Sequence, residues 1–361
     1  MVCPFDAVLL IAFGGPQGPD DIRPFLANVL RGRRVAPGRL DEVAQHYERF
    51  GGVSPITELT RRQAEALQAQ LAAAGTPLPV HVGMRNWHPY LADTLAAMSR
   101  AGARRAIGFI AAPHRSYSSC TQYRENVAEA RATLARRGLP DVGVTYVPDW
   151  HLHPDFIAAN ADNVRRAVQR LPEGLRAAAR LIFAAHSIPV SMAERYPYER
   201  QFQETARLVA EAVVNRGSRT ADRDPRTANR EPRAAKDEER PATREPRFAT
   251  AFQSRSGRPE DPWLGPDICE YLRDARARGL NAAVISPVGF VADHVEVLYD
   301  LDVEAAGVCR EIGLPMVRAA AVNDHPRFIE MMADVVLRVC RQYGRGRSLE
   351  VVPGLSSQLS G

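Results

Sequence analysis

No apolar run in this chain approaches the roughly 20 residues needed to cross a bilayer, so nothing in it reads as a membrane span. The opening MVCPFDAVLLIAF has neither a positive n-region nor a small-residue cleavage site. It is expected to be the first buried strand of a cytoplasmic protein, not a signal peptide. Cysteine is scarce: Cys3, Cys120, Cys269, Cys309 and Cys340 stand far apart, with no CxxC pair and no zinc-ligand spacing. That distribution predicts reduced thiols and argues against both a disulfide framework and a zinc finger. A GxSxG elbow is missing, which lowers the case for a serine hydrolase. The chain has 47 basic and 42 acidic residues, a net charge of +5. The basic excess is gathered neither into an arginine-rich helix nor into an aromatic-interleaved patch, so no nucleic-acid partner is expected.

What is present is a chain of 361 residues, 45% of them hydrophobic, enough for one large or two medium domains. Short apolar runs alternate with longer amphipathic ones. Strands are expected at 7–13, 79–84, 105–112, 142–147, 181–185, 248–254, 281–291 and 315–320. Strands that are apolar throughout and separated by helices predict parallel sheets covered on both faces. The fold class is therefore α/β, with two similar Rossmann-like lobes and a cleft between them. The expected boundaries are 1–150 for the first lobe, 151–320 for the second, 321–345 for a helix returning to the first lobe, and 346–361 for a tail. Residues 216–247 break the rhythm, with ten basic and seven acidic residues and almost nothing apolar. Their seven-residue step carries prolines and no apolar seam, which excludes a coiled coil and predicts a disordered surface insertion. Its charge leaves open a docking role toward an anionic surface.

Two stretches carry chemistry. LIFAAHSIPVS puts His186 where a buried strand runs out, at the mouth of the fold. PVGFVADHVEVLYDLDVEA begins at another strand end, where α/β sheets place their ligand sites, and continues into a helix. In it Glu296, Asp300 and Glu304 recur every four residues along one stripe, which drifts on a 3.6-residue helix and which a local π-bulge would bring nearer to alignment. A solvated acidic face is the plainer reading of such a stripe. Against it stands the apolar approach VISPVGFVA, which should carry Glu296 into the cleft. His186 and Glu296 then arise from equivalent strand ends and face one another. A neutral imidazole with a carboxylate holds a borderline ion such as Fe²⁺, and can also take protons from a ligand. AFGGPQG after the first strand lacks GxGxxG and a following lysine-serine pair, so a nucleotide site there is a weak reading. Its glycines are expected to bring the backbone close to a flat ligand or to the opposite lobe.

At these residues the chain resembles the ferrochelatases, over nearly its whole length apart from the insertion and the tail. The matching stretches, in family order, are LLIAFGGP, HYERFGGVSPI, GMRNWHPY, APHRSYSSCTQY, AAHSIP, FQSRSGRPEDPWLGPD and GFVADHVEVLYDLD. The wording ADHVEVLYD, together with RGRR and QSRSG…PWLGPD, resembles the coproporphyrin III enzymes of Gram-positive-type bacteria more than the protoporphyrin IX enzymes. The resemblance implies a chelatase-like fold and insertion of ferrous iron into a porphyrin in haem biosynthesis, with iron as substrate and no tightly bound cofactor. His186 is then the metal-side histidine that receives pyrrole protons or helps deliver iron, Glu296 the carboxylate opposite it, and Asp300 with Glu304 a track for metal entry or proton exit. Phe13, Ser54, Tyr123 and Arg31 fall where the family contacts the porphyrin. For Ser54 a helix N-cap, and for Tyr123 core packing, are the plainer alternatives. Arg31, Arg33, Arg34, Arg115 and Arg124 are candidates to meet propionates.

The sequence also departs from those relatives. Some coproporphyrin enzymes have an iron-ligating tyrosine at the place of Phe13, and a phenyl ring cannot replace it. Leu30 and His46 stand where those relatives have arginines. Some relatives bind a [2Fe–2S] cluster through clustered cysteines, whereas Cys340 stands alone near the C-terminus, so no cluster is expected. A downstream coprohaem decarboxylase is the expected consumer of the product. A protoporphyrin enzyme, a cobalt or nickel chelatase and a non-catalytic porphyrin carrier are the alternatives.

Overall fold

In a computed structural model of the chain, residues 3–31, 38–214, 248–256 and 260–344 are described. The insertion at 216–247, the tail at 346–361, and Arg33 with Arg34 lie outside the described residues.

Among the described residues eight strands form two sheets, each wholly parallel. The first holds β1 (Ala7–Ala12), β2 (Val80–Met84), β3 (Arg105–Ile110) and β4 (Gly143–Tyr146) in the order β2-β1-β3-β4. The second holds β5 (Arg180–His186), β6 (Phe248–Gln253), β7 (Ala283–Ser286) and β8 (Met316–Arg318) in the order β6-β5-β7-β8. The two orders are the same topology, so the lobes are structural repeats. All eight expected strands form. The seventh is shorter than expected: β7 stops at Ser286, because Pro287 and Gly289 open a turn there.

Alternation along the strands explains why β1 is apolar throughout and β5 from Leu181 to Ala185. In β1, Val8 and Leu10 enter a core shared by both lobes, while Ala7, Leu9 and Ile11 enter a core of the first lobe alone. In β5, Leu181, Phe183 and Ala185 join the shared core, and Ile182 and Ala184 face the second lobe's own. Successive strand residues point to opposite faces, and here both faces are buried. Trp150 stacks on Phe109 of β3 (centroids 5.5 Å apart) and meets Phe156 and Phe328 edge-on, tying the lobes together.

The last helix, Pro326–Gly344, packs against helix Ile56–Ala73 of the first lobe and helix Pro154–Gln169 of the second. Its Cys340 is bonded to Cys3 as a disulfide. This corrects the expectation of unpaired thiols and of an isolated Cys340. The two cysteines are 337 positions apart, and the packing of the last helix against the start of β1 brings them together; Phe5 and Tyr343 meet edge-on beside them.

Another contact between the lobes titrates. His114 follows β3 and is buried; its Nε2 lies 3.0 Å from Thr205 Oγ1 in helix Tyr198–Val214. Burial, with His151 nearby, pushes its pKa down to about 3. Since the folded value lies below the ordinary 6.5, the neutral ring contributes stability that is intact above pH 6.5 and lost as pH falls toward 3. At pH 5 the loss should reach about 2 kcal/mol. Urea unfolding at pH 7 and pH 5 checks this: His114→Gln should lose about 2 kcal/mol less than the native chain between those pH values. Equal losses in the two proteins would remove His114 from the account.

Candidate functional site

His186 is the last residue of β5, and its backbone is fixed on both sides. It pairs in register with Gln253 of β6, and its carbonyl accepts from Tyr198 Oη at 2.8 Å. The following Ser187 donates its N–H to Gln253 O (2.8 Å) and its hydroxyl to Leu264 O (2.7 Å). The imidazole Nδ1 lies against the Ser187 carbonyl. A carbonyl only accepts, so Nδ1 carries the hydrogen and Nε2 keeps its lone pair in the neutral ring. Nε2 stands 3.9 Å from Glu296 Oε2, and about a third of each side chain is exposed. At 3.9 Å the two atoms do not share a hydrogen bond. Ligand bonds of about 2.0–2.2 Å at a tetrahedral angle put two donors about 3.3–3.6 Å apart, so the pair stands slightly wider than a closed ligand set.

Glu296 reaches that position through the turn after β7. Gly289 donates its N–H to Ala184 O (3.1 Å) and lies directly on β5; a Cβ there would stand 2.6 Å from Ala185 Cβ and 2.7 Å from its Cα. Only glycine allows the turn to approach so closely. His294 then caps the next helical segment, its Nδ1 accepting from Val297 N–H at 3.1 Å. The backbone runs as an α-turn over Val295–Val297 and as a π-helix over Leu298–Ala305. The widened turn expected for the acidic stripe is therefore present. A second π-helix, Tyr117–Thr121, occupies the matching place after β3 in the first lobe, capped by Ser116.

The stripe passes through three environments. Glu296 faces His186. Asp300 is buried, and its carboxylate accepts from Ser254 Oγ and, at 3.2 Å, from Gln253 Nε2. Burial pushes Asp300 up to about 7, with Glu296 and Glu304 adding to the rise and the two hydrogen bonds opposing it. Glu304 is exposed as a residue, yet partial burial of its carboxyl and then Asp267 raise it above the ordinary range. Asp300 and Glu304, with Ser254, Asp267 and Cys269, line a cavity of about 390 Å³. A larger cavity of about 540 Å³ opens beside Arg180, Arg207 and Tyr271. It lies at the amino end of β5, the wrong end for ligand sites in such sheets, some 20 Å of strand from His186.

The first lobe closes over this pair. Helices Ile22–Val29 and Arg39–Arg49 build a small core from Ile22, Phe25, Leu26, Ala44 and Tyr47, which Val295 of the second lobe completes. Tyr47 is buried in it, its hydroxyl held well above the ordinary value by burial and then by Glu296 and Asp300. His46 stacks on Tyr299 of the π-helix, rings 3.5 Å apart and 11° from parallel.

The four expected rim residues are distributed less tightly. Phe13 is half-buried and meets Phe25 edge-on. Ser54 lies beneath the AFGGPQG turn: a Cβ on Gly15 would stand 2.6 Å from Ser54 Cβ. Those glycines therefore approach their own lobe. Pro55, not Ser54, occupies the cap position of helix Ile56–Ala73, and no side chain bonds there. Tyr123 belongs to the first-lobe core, with the Arg85 guanidinium 5.6 Å from its ring. Burial pushes its hydroxyl up to about 12, Arg85 opposing and Glu296 contributing to the rise. Arg31 is exposed and donates to Asn28 Oδ1 at 2.5 Å. Arg115 pairs with Asp149 at 3.5 Å, and Arg124 covers the Tyr146 ring at 4.8 Å. Tyr47, Gly289 and Ser254 had no separate signal in the sequence, since each acts through a neighbour distant along the chain, whereas His294 acts locally, on Val297 three residues on.

Known proteins resemble this chain closely. The family model described as Ferrochelatase matches residues 5–339. A coproporphyrin III ferrochelatase of Streptomyces coelicolor is 42% identical over 97% of this chain and 88% of its own length. One of Mycolicibacterium vanbaalenii is 41% identical over 99% and 96%, and a ferrochelatase of Rhodopirellula baltica 44% identical over 92% and 86%. Among solved structures, the sirohydrochlorin chelatase SirB of Bacillus subtilis subspecies spizizenii, in complex with cobalt, aligns with a TM-score of 0.50 at 9% identity. That alignment covers 94% of this chain and 97% of SirB, a likeness of fold.

Proposed function

Because this chain belongs to the ferrochelatase family, we propose that it inserts ferrous iron into coproporphyrin III and releases coprohaem. The observation that carries iron insertion is the His186 Nε2 lone pair facing Glu296 at 3.9 Å at the carboxyl end of β5. Coproporphyrin as the macrocycle is supported by the names of the Streptomyces and Mycolicibacterium relatives.

In the reaction one Fe²⁺ enters the ring and two pyrrole protons leave it. Once Fe²⁺ has passed from the pair to the ring, His186 takes one of the two pyrrole protons at Nε2, the nitrogen that the Ser187 carbonyl leaves without one, and the Glu296 carboxylate takes the other. Glu296 offers the opposing carboxylate, so the pair forms a mixed nitrogen and oxygen set suited to a borderline divalent ion. Asp300 and Glu304 continue from it toward the 390 Å³ cavity, as a path for incoming iron or departing protons. Phe13, Ser54, Tyr123 and Arg31 are assigned to the porphyrin rim, and Phe13 supplies no oxygen to the product iron. The stacking of His46 on Tyr299 supports a rim chemistry different from that of an arginine at this place. We place the enzyme in the cytoplasm; no helix among the described residues is long and apolar enough to cross a membrane. A coprohaem decarboxylase is the class of enzyme that would consume the product.

The test is anaerobic Fe²⁺ insertion followed by absorbance, with coproporphyrin III and protoporphyrin IX supplied in parallel. Faster metallation of coproporphyrin is expected. Preference for protoporphyrin would move the chain to the other branch of the family, and insertion of Co²⁺ or Ni²⁺ in preference to Fe²⁺ would change the metal.

A further inference from the structure

The acidic segment is held from behind by one guanidinium. Arg318 ends β8, and only 14% of its side chain is exposed. Its Nη1 donates to Asp293 Oδ1 at 2.8 Å, and its Nε to Asp302 Oδ1 at 2.8 Å. Asp293 precedes the helical turn that presents Glu296, and Asp302 lies in the π-helix between Asp300 and Glu304. A single side chain therefore grips the segment 293–302 at both ends, with Glu296 and Asp300 between the grips.

The grip is itself braced. The second oxygen of Asp293 accepts from Asn323 Nδ2 (2.8 Å), and Asp293 N–H donates back to Asn323 Oδ1 (2.8 Å). Gln63 of the first lobe donates from Nε2 to Asn323 O (2.8 Å) and to Val291 O (3.0 Å). The chain of contacts runs from the first lobe through Asn323 and Asp293 to Arg318 and the π-helix. Isolated π-turns are rare in helices and persist where their surroundings hold them. The Arg318–Asp302 arm is partly exposed on the Asp302 side, so its contribution to stability is small. What it contributes is spacing.

We propose that Arg318 is a positioning residue for iron: by bridging Asp293 and Asp302 it fixes the widened turn and sets Glu296 against His186. This rests on the reading of His186 and Glu296 as the iron site. Groups hydrogen-bonded directly to metal ligands are worth about 10–100-fold in metal affinity, and Arg318 acts one step further out, through Asp293 and Asp302, so the lower end is expected. Loss of the bridge should therefore act on iron and leave the macrocycle alone.

The experiment measures KM for Fe²⁺ and for coproporphyrin separately, with porphyrin fluorescence quenching as a binding readout and thermal melting as a check of the fold. Arg318→Met should raise KM for Fe²⁺ by about 10-fold with porphyrin binding unchanged. Arg318→Lys keeps the charge but loses the fork, and should fall between. Asp302→Asn breaks the exposed arm alone and should raise the iron KM even if Arg318→Met does not fold. The proposal is overturned if folded Arg318→Met and Asp302→Asn keep the native KM for Fe²⁺, or if iron and porphyrin constants rise together. His186→Ala is assayed alongside: full insertion by that variant would sink the iron-site reading itself. Its loss of insertion beside native-like Arg318 variants would sink only the bridge.

Discussion

Replacing His186 by alanine is expected to slow iron insertion by about 10²–10⁴-fold, the usual worth of a positioned proton acceptor, while coproporphyrin still binds. The reason lies in the ring's tautomer. The Ser187 carbonyl keeps the hydrogen on Nδ1, so Nε2 is the basic atom, and it is aimed at the space shared with Glu296. Alanine removes the acceptor and one side of the metal pair at once. The backbone around it is held independently by Gln253, Leu264 and Tyr198, so the fold should survive. Fluorescence quenching gives the porphyrin affinity, and absorbance under anaerobic conditions gives insertion. A carrier without catalysis has no insertion to lose. If the alanine variant metallated coproporphyrin at the native rate, the assignment of His186 would be abandoned. Glu296→Gln is the companion change: it keeps the shape and removes the charge, so it should weaken iron binding more than it weakens the porphyrin.

Reducing the Cys3–Cys340 disulfide is expected to cost about 2–5 kcal/mol of stability, toward the upper end because the closed loop spans nearly the whole chain. In the chain-entropy account the bond acts by restricting the unfolded state, and the restriction grows with loop length. The folded state changes little: the last helix remains packed on helix Ile56–Ala73, and Phe5 still meets Tyr343. Urea unfolding with and without reductant measures the difference, and Cys340→Ser should match the reduced protein under both conditions. Thiol counting in denatured, unreduced protein supplies the second check. Cys120, Cys269 and Cys309 should react, and Cys3 and Cys340 should not. Five reactive thiols together with no effect of reductant would show the pair to be unlinked in solution.

The sequence by itself determined the sheet content and singled out the residues proposed for the chemistry. β1 is apolar at every position and β5 is apolar between Arg180 and His186, which only a sheet buried on both faces requires, so the parallel α/β repeat followed from composition along the run. His186 at a strand end and the four-residue step of Glu296, Asp300 and Glu304 were legible for the same reason: local periodicity decides which face a side chain joins. Only the tertiary structure decided how these pieces meet. The 3.9 Å approach of His186 to Glu296 depends on Gly289 lying on Ala185, a contact between β5 and the turn after β7. The pairing of Cys3 with Cys340 depends on where the last helix docks, which spacing in the sequence does not encode. The value near 7 at Asp300 arises chiefly from burial beside β6, and Arg318 acquires its two partners only when β8 sits behind the π-helix. Periodicity is a property of neighbours along the chain, whereas desolvation, ion pairing and close packing are properties of neighbours in space.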